Sequence, residues 1–170
     1  MTVLLLATLL AGSFDVTGQM SGVYPVAGLD RFHASSAMLG VGLGYSLGNA
    51  RLELGYRYTN LPGVQSSPYR LTLHQAALSG SYPLVRWNTW GIEALLGGGC
   101  VFGQRTYGAG RENGRTGSGE VGVEVFQKAG KSRLTIGLVH LLLFEQGGAG
   151  SPGVSVQQLF SFRAGVGYVF

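Results

Sequence analysis

Residues 39–59 read LGVGLGYSLGNARLELGYRYT. Leu39, Val41, Leu43, Tyr45 and Leu47 alternate with Gly40, Gly42, Gly44 and Ser46. After the short turn Gly48-Asn49, Leu52, Leu54, Tyr56 and Tyr58 alternate with Arg51, Glu53, Gly55, Arg57 and Thr59. Strict period two over this length is the mark of a β-strand with two unlike faces. One face here is apolar and the other mixes glycine with charge.

The same period extends in both directions along the chain. Phe14, Val16, Met20 and Tyr24 share a face of a first strand, and Ile92, Ala94, Leu96, Cys100 and Phe102 share another. Val121, Val123 and Val125 follow, then Leu134, Ile136, Leu138, Leu142 and Phe144, and finally Val156, Phe160, Phe162, Ala164, Val166, Tyr168 and Phe170. A further strand between Tyr69 and Tyr82 loses phase at His74-Gln75-Ala76, which predicts a β-bulge there. The count is eight strands. Short turns are expected at Gly48-Asn49, Pro83 to Asn88 and Lys128 to Lys131. Longer loops are expected at Pro25–Ser35, Leu61–Pro68, Gln104–Ser118 and Glu145–Val154. Short turns on one side and long loops on the other are the layout of an even-stranded membrane barrel. Strands of roughly 10 to 15 residues cross a bilayer when tilted, and closure leaves no unpaired edge in lipid.

Charge placement decides which face is the inside. Arg51, Glu53, Arg57, Glu93, Glu120, Glu124, Arg133 and Arg163 all fall opposite the apolar rows, among Gly, Ser and Thr. Such a face is expected to fill a narrow barrel with a polar plug of paired Glu and Arg rather than an apolar core, while the apolar rows face lipid. Composition agrees. The 170 residues hold 30 glycines, only 12% charged residues and a formal net charge of +4. Disordered chains are poor in aromatics and rich in charge, collagen needs a strict three-residue glycine period, and no apolar run reaches the roughly 18 residues of a helical span. Inward glycines are expected to make room for long side chains in an interior barely wide enough for them. Tyr82, Trp87, Trp90, Tyr45, Tyr168 and Phe170 are expected near one membrane interface, with Tyr24, Tyr58, Tyr69, Phe102 and Phe144 near the other.

Two terminal features add to this. Residues 1–13 contain the apolar run Val3–Ala11 followed by small residues and read as a signal peptide or N-terminal segment, with a single barrel domain at 14–170. The last eight residues carry Arg163, Gly165, Tyr168 and a final Phe170 in the order polar, Gly, aromatic, aromatic. This pattern resembles the C-terminal insertion signal of bacterial outer-membrane β-barrels. Over about residues 14–170 the chain is similar to the small eight-stranded members of that group, the OmpA-like transmembrane domain and the OmpX-like proteins. The resemblance implies an all-β, eight-stranded antiparallel up-and-down transmembrane barrel in a Gram-negative-type outer membrane. It also implies contact with outer-membrane lipid and lipopolysaccharide, and recognition of the last strand by the barrel-assembly machinery. It leaves function open, because one barrel serves anchors, adhesins and enzymes.

Motifs for chemistry are sparse. Gly117 to Gly122 matches a dinucleotide-binding pattern by letter but leads into an alternating strand rather than a helix. One cysteine, Cys100, and three scattered histidines offer no metal-ligand spacing, so no metal and no cofactor are expected. The enzymatic alternative is a lipid A deacylase-like barrel that uses His140. Leu142 stands where that type carries its serine, and Gln157 and Gln158 occupy the region of its acid. A soluble lipocalin-like binder is disfavoured by the charge placement. Arg105, Arg111 and Arg115 on the expected loop 104–118 are the candidate binding residues, suited to lipopolysaccharide phosphates or anionic partners. Nucleic acid is not expected as a partner, since the net charge is modest and much of it is expected inside the barrel. The expected role is therefore a non-enzymatic envelope component that meets lipid and other envelope proteins.

Overall fold

The computed structural model describes residues 12–27, 29–64, 69–146 and 154–170. The expected leader therefore falls almost entirely outside the described residues, as does the centre of the loop 145–154. Eight strands close into one antiparallel barrel: β1 Ser13–Val26, β2 Ser36–Leu47, β3 Ala50–Leu61, β4 Arg70–Trp87, β5 Trp90–Tyr107, β6 Gly110–Ala129, β7 Ser132–Gln146 and β8 Val154–Val169. Every strand pairs with its sequence neighbour, and β8 returns to β1 with Asp15 opposite Val169 and Val26 opposite Gln158. Closure also reaches the final residue, whose backbone N–H donates to Phe14 O at 2.9 Å.

The predicted rows are the observed outer wall. Phe14, Met20, Leu39, Val41, Leu43, Leu54, Leu96, Ile136, Leu138 and Phe162 are all exposed. Asp15, Glu53, Arg57, Glu93, Glu120, Glu124, Arg133 and Arg163 are all buried. Apolar outside and charged inside is stable only if lipid is the outer solvent. Four tight turns on the short side or at hairpin tips place Gly48, Asn88, Gly108 and Gly130 at positive φ, where a side chain is disfavoured.

Several expectations need correction, among them the turn at Pro83 to Asn88, which is strand through Trp87 and turns only at Asn88-Thr89. Residues 104–118 are not a loop. β5 runs to Tyr107 and β6 starts at Gly110, so the pair forms a long hairpin with Gly108-Ala109 at its tip. Polar alternation without apolar residues looks like loop composition, yet here it is a hairpin rising above the wall. The bulge is not at His74-Gln75-Ala76, where pairing with β3 and β5 is unbroken; the register shifts between Pro83 and Val85 instead. Proline there cannot donate to the ladder, which fits a bulge. Finally, the net positive charge is not inside. Asp15, Glu53, Glu93, Glu120 and Glu124 face Arg51, Arg57, Arg133 and Arg163, so five acids against four bases leave this ion-paired set formally at −1.

The interior also has two halves. Toward the tight turns it is charged. Toward the long connections it is apolar, with Val23, Met38, Leu61, Leu71, Leu73, Val101, Leu141, Leu143 and Leu159 buried together. The expectation of an entirely polar inside therefore fails for this half. Leu29, from a short 3-10 turn at Leu29–Arg31 in the β1–β2 connection, joins the same cluster. That connection is tied to the chain after β3 by Ala34 N to Pro62 O at 2.9 Å, Val64 N to Phe32 O at 3.1 Å and a bridge between His33 and Gly63.

Candidate functional site

The charged half is built by inward positions of seven of the eight strands. Arg51 grips Asp15 with two hydrogen bonds, Nε to Oδ2 at 3.0 Å and Nη2 to Oδ1 at 2.6 Å, and its Nη2 also reaches Glu53 Oε2 at 2.7 Å. Two planar groups meeting edge to edge satisfy both partners at once, which is why arginine suits this position. Glu53 in turn accepts from Gln19 Nε2 at 2.6 Å and Thr17 Oγ1 at 3.1 Å. Glu120 lies near the centre, accepting from both guanidinium arms of Arg57 and from Arg163 Nη2 at 3.4 Å. Arg163 also donates to Glu124 Oε1 at 3.3 Å, and Arg133 pairs with Glu93 while lying 4.4 Å over the Phe126 ring. Asp15, Thr17, Gln19 and Gln75 belong to this network and were missed in the sequence. The signal for Asp15 was present, since it sits between Phe14 and Val16 in a period-two run.

Glycine makes the crowding possible. A Cβ on Gly42 would meet Thr17 Oγ1 at 2.7 Å and the Glu53 carboxyl carbon at 2.8 Å, and one on Gly97 would meet Glu120 Oε1 at 2.8 Å. Space here is taken by side chains from across the barrel, and the cavity among Thr17, Arg51, Glu124 and Arg163 is only about 10 Å³. That is too small for more than a water molecule.

The apolar half is looser. A cavity of about 290 Å³ lies among Leu71, Leu73, Val101, Gly103, Thr116 and Leu143. A second, of about 680 Å³, is lined by Leu29, Phe32, His33, Tyr69, Tyr107 and Val156. Arg105, Glu112 and Gln157 line both. Tyr107 Oη donates to Glu112 Oε1 at 3.0 Å. His33 is buried in the connection over the mouth. Burial, with Arg105 nearby, holds its imidazole below the ordinary value, against an upward pull from the backbone of Leu61 and Pro62.

The structure separates the three arginines that the sequence had grouped. Arg105 lies on the inward row of β5 and lines both cavities, whereas Arg115 borders only the smaller one. Arg111 and Arg115 lie on the outward row of β6, with the Arg115 guanidinium 5.5 Å over the Phe102 ring and its Nη2 3.7 Å from Cys100 Sγ. Of the assembly-signal positions, Arg163 and Gly165 point inward, while Tyr168 and Phe170 stand exposed on the wall with their rings 5.4 Å apart. Trp87 and Trp90 stack at 4.1 Å beside the β4–β5 turn, as an interfacial aromatic belt requires. His140 is on the outer wall, bonded through Nε2 to Gln158 Oε1 at 3.1 Å and stacked on Phe160 at 4.4 Å. Leu142 follows it on the same row.

No protein-family model matches the sequence, and no curated protein is similar to it at the sequence level. Similarity appears in three dimensions. Neisserial surface protein A superposes with a TM-score of 0.68 at 15% identity, covering 94% of this chain and 99% of the other. The N-terminal β-barrel domain of Pseudomonas aeruginosa OprF gives 0.54 at 15% identity, covering 94% and 99%. Ail, the attachment invasion locus protein of Yersinia pestis, gives 0.53 at 12% identity, covering 94% and 97%. Identities this low speak to fold alone, and on that level the chain has the architecture of the small eight-stranded outer-membrane β-barrels, closed and transmembrane.

Proposed function

We propose that this chain is an integral outer-membrane barrel without enzymatic or channel activity. In this reading its charged half closes the interior and its raised loop end meets other components of the envelope. The observation that carries the reading is the ion-pair network running from Asp15 through Arg51, Glu53, Arg57, Glu120 and Arg163 to Glu124. In this reading four guanidiniums packed against five carboxylates close the turn-side interior to water, and separating them would expose unpaired buried charge. Outer-membrane lipid and lipopolysaccharide are the surrounding partners, with Arg111 and Arg115 placed to meet their phosphates. The last strand, ending in Tyr168 and Phe170, is the surface offered to the barrel-assembly machinery. Leu142, rather than a hydroxyl residue, follows His140 on the outer row, which supports the non-enzymatic side of the proposal.

Planar-bilayer recording of the refolded full chain tests it. The expected result is a heat-modifiable protein on detergent gels that gives no stable current steps. Large, long-lived conductance from the wild-type protein would refute the closed interior. Altered acylation of lipid A on expression in an outer membrane would refute the non-enzymatic role.

A further inference from the structure

The arginines of the inward rows divide into two kinds. Arg51, Arg57, Arg133 and Arg163 each hold a carboxylate of the barrel. Arg105 is also on an inward row, yet among the described residues it has no ion pair. Its cross-strand neighbour is Glu112, whose carboxylate accepts instead from the Tyr107 hydroxyl. On one side of Arg105 lies the 290 Å³ cavity with its floor of Leu71, Leu73, Val101 and Leu143, and on the other the 680 Å³ cavity under Leu29 and His33. Ligand sites commonly fall between about 300 and 1,000 Å³, mostly apolar with a few placed polar groups. A buried imidazole borders the same space. His33, which lines the larger cavity, is 4% exposed, and its Nδ1 has no hydrogen-bond partner among the described residues.

We propose that the loop-side mouth binds a single-chain amphiphile with an anionic head, its hydrocarbon tail in the apolar cavity and its carboxylate on Arg105. An apolar floor too loose for its own side chains gains by burying a methylene chain. A guanidinium with no ion pair among the described residues offers a two-pronged seat for a carboxylate at the rim. The inward glycines of this half leave the space that a guest needs. A Cβ on Gly103 would meet Leu73 and Leu71 only at 3.5 and 3.8 Å, and one on Gly114 would meet nothing within 4 Å.

The test uses the full chain in phosphatidylcholine nanodiscs, since detergents are themselves single-chain amphiphiles. Phe32→Trp in a Trp87→Phe, Trp90→Phe background puts one fluorophore at the mouth, because both native tryptophans lie at the opposite end. Titration with 12-bromododecanoate is expected to quench it saturably. Arg105→Ala should raise the half-saturating concentration about tenfold, the loss of one charge-assisted contact. Gly103→Leu should remove the saturable phase by filling the cavity, and Gly103→Ala, which makes only ordinary contacts, should weaken it less. 12-Bromododecanol, with the same chain and no charge, should bind as weakly to the wild type as the acid does to Arg105→Ala. Competition by phosphatidylglycerol placed in the disc would assign the seat to the chain of a membrane lipid, and its absence to a free fatty acid. Equal quenching of the wild type, Arg105→Ala and Gly103→Leu, all with heat-modifiable migration intact, would mean bilayer partitioning only and would overturn the proposal. So would equal affinity for the acid and the alcohol.

Discussion

The two halves of this barrel interior use the same strands in opposite ways. In the turn-side half, inward positions carry Asp, Glu, Arg and Gln, and glycine gives up its Cβ so that side chains from across the barrel can meet, as Gly42 does for Glu53. In the loop-side half, inward positions carry Leu, Val and Met, and glycine leaves empty space, as at Gly114. Specific pairing fills the first half and general apolar burial only partly fills the second. The lesson is that a polar interior suits the closed part of an inverted barrel, where each group finds a partner. An apolar interior suits the mouth, where a connection can fold in and a guest can enter.

Breaking the charged half should have the largest effect. Glu120 is the shared partner of Arg57 and Arg163, so Glu120→Ala leaves two guanidiniums buried and under-compensated. Removing one member of a buried ionic set typically costs about 3–5 kcal/mol. Urea unfolding in lipid vesicles should show a loss of that size, and a change under about 1 kcal/mol would mean that the network contributes little to holding the turn-side half together. Breaking the apolar half should cost less. Leu61 is fully buried, but it borders a half that already contains cavities, so Leu61→Ala should fall at the low end of the usual range of about 2–5 kcal/mol. If Leu61→Ala proved as costly as Glu120→Ala, the contrast in packing between the halves would be wrong.

The same contrast explains what could be read in the sequence and what could not. The outer wall was legible because lipid demands one chemistry along the whole strand, so Leu39 to Tyr58 keep a single period. The inner rows were legible only where they are charged. In β4 the inward residues run Leu71, Leu73, Gln75, Ala77, Ser79, changing from apolar to polar at Gln75. Read as one apolar face, that change looks like a slipped register, and this is why a bulge was expected at His74-Gln75-Ala76. What changes there is the side-chain chemistry; the backbone pairing continues. In β7 the inward Leu141 and Leu143 flank the outward Leu142, merging two apolar rows into one run and hiding the mouth cluster. The β5–β6 hairpin was illegible for a related reason. Above the lipid neither face must be apolar, so Arg111 to Thr116 carry no row to read. Of the candidate binding residues, sequence spacing alone grouped Arg105 with Arg111 and Arg115; strand parity, once pairing is known, sends them to opposite faces.

The smallest effect tests how firmly the mouth is closed by its connection. His33 is buried between the β1–β2 connection and the chain after β3, and its imidazole is held below its ordinary value by burial and by Arg105. The neutral ring is thus the form that the closed connection favours, while the opened connection titrates near about 6.5. Protonation must favour opening. The contribution of His33 is fully present above about pH 6.5 and declines as pH falls below it, levelling off once the closed form is itself protonated. Hydrogen exchange of the Ala34 and Val64 amides, which bond to Pro62 and Phe32, should therefore show lower protection at pH 5 than at pH 7.5 after correction for intrinsic rates. Amides of the turn-side strands, such as that of Glu120, should not change in this window. In His33→Phe, which keeps the ring volume and cannot gain a proton, the pH dependence at Ala34 and Val64 should vanish. If the dependence persisted in that variant, the acid sensitivity of the mouth would belong to another group and His33 would be only a packing residue.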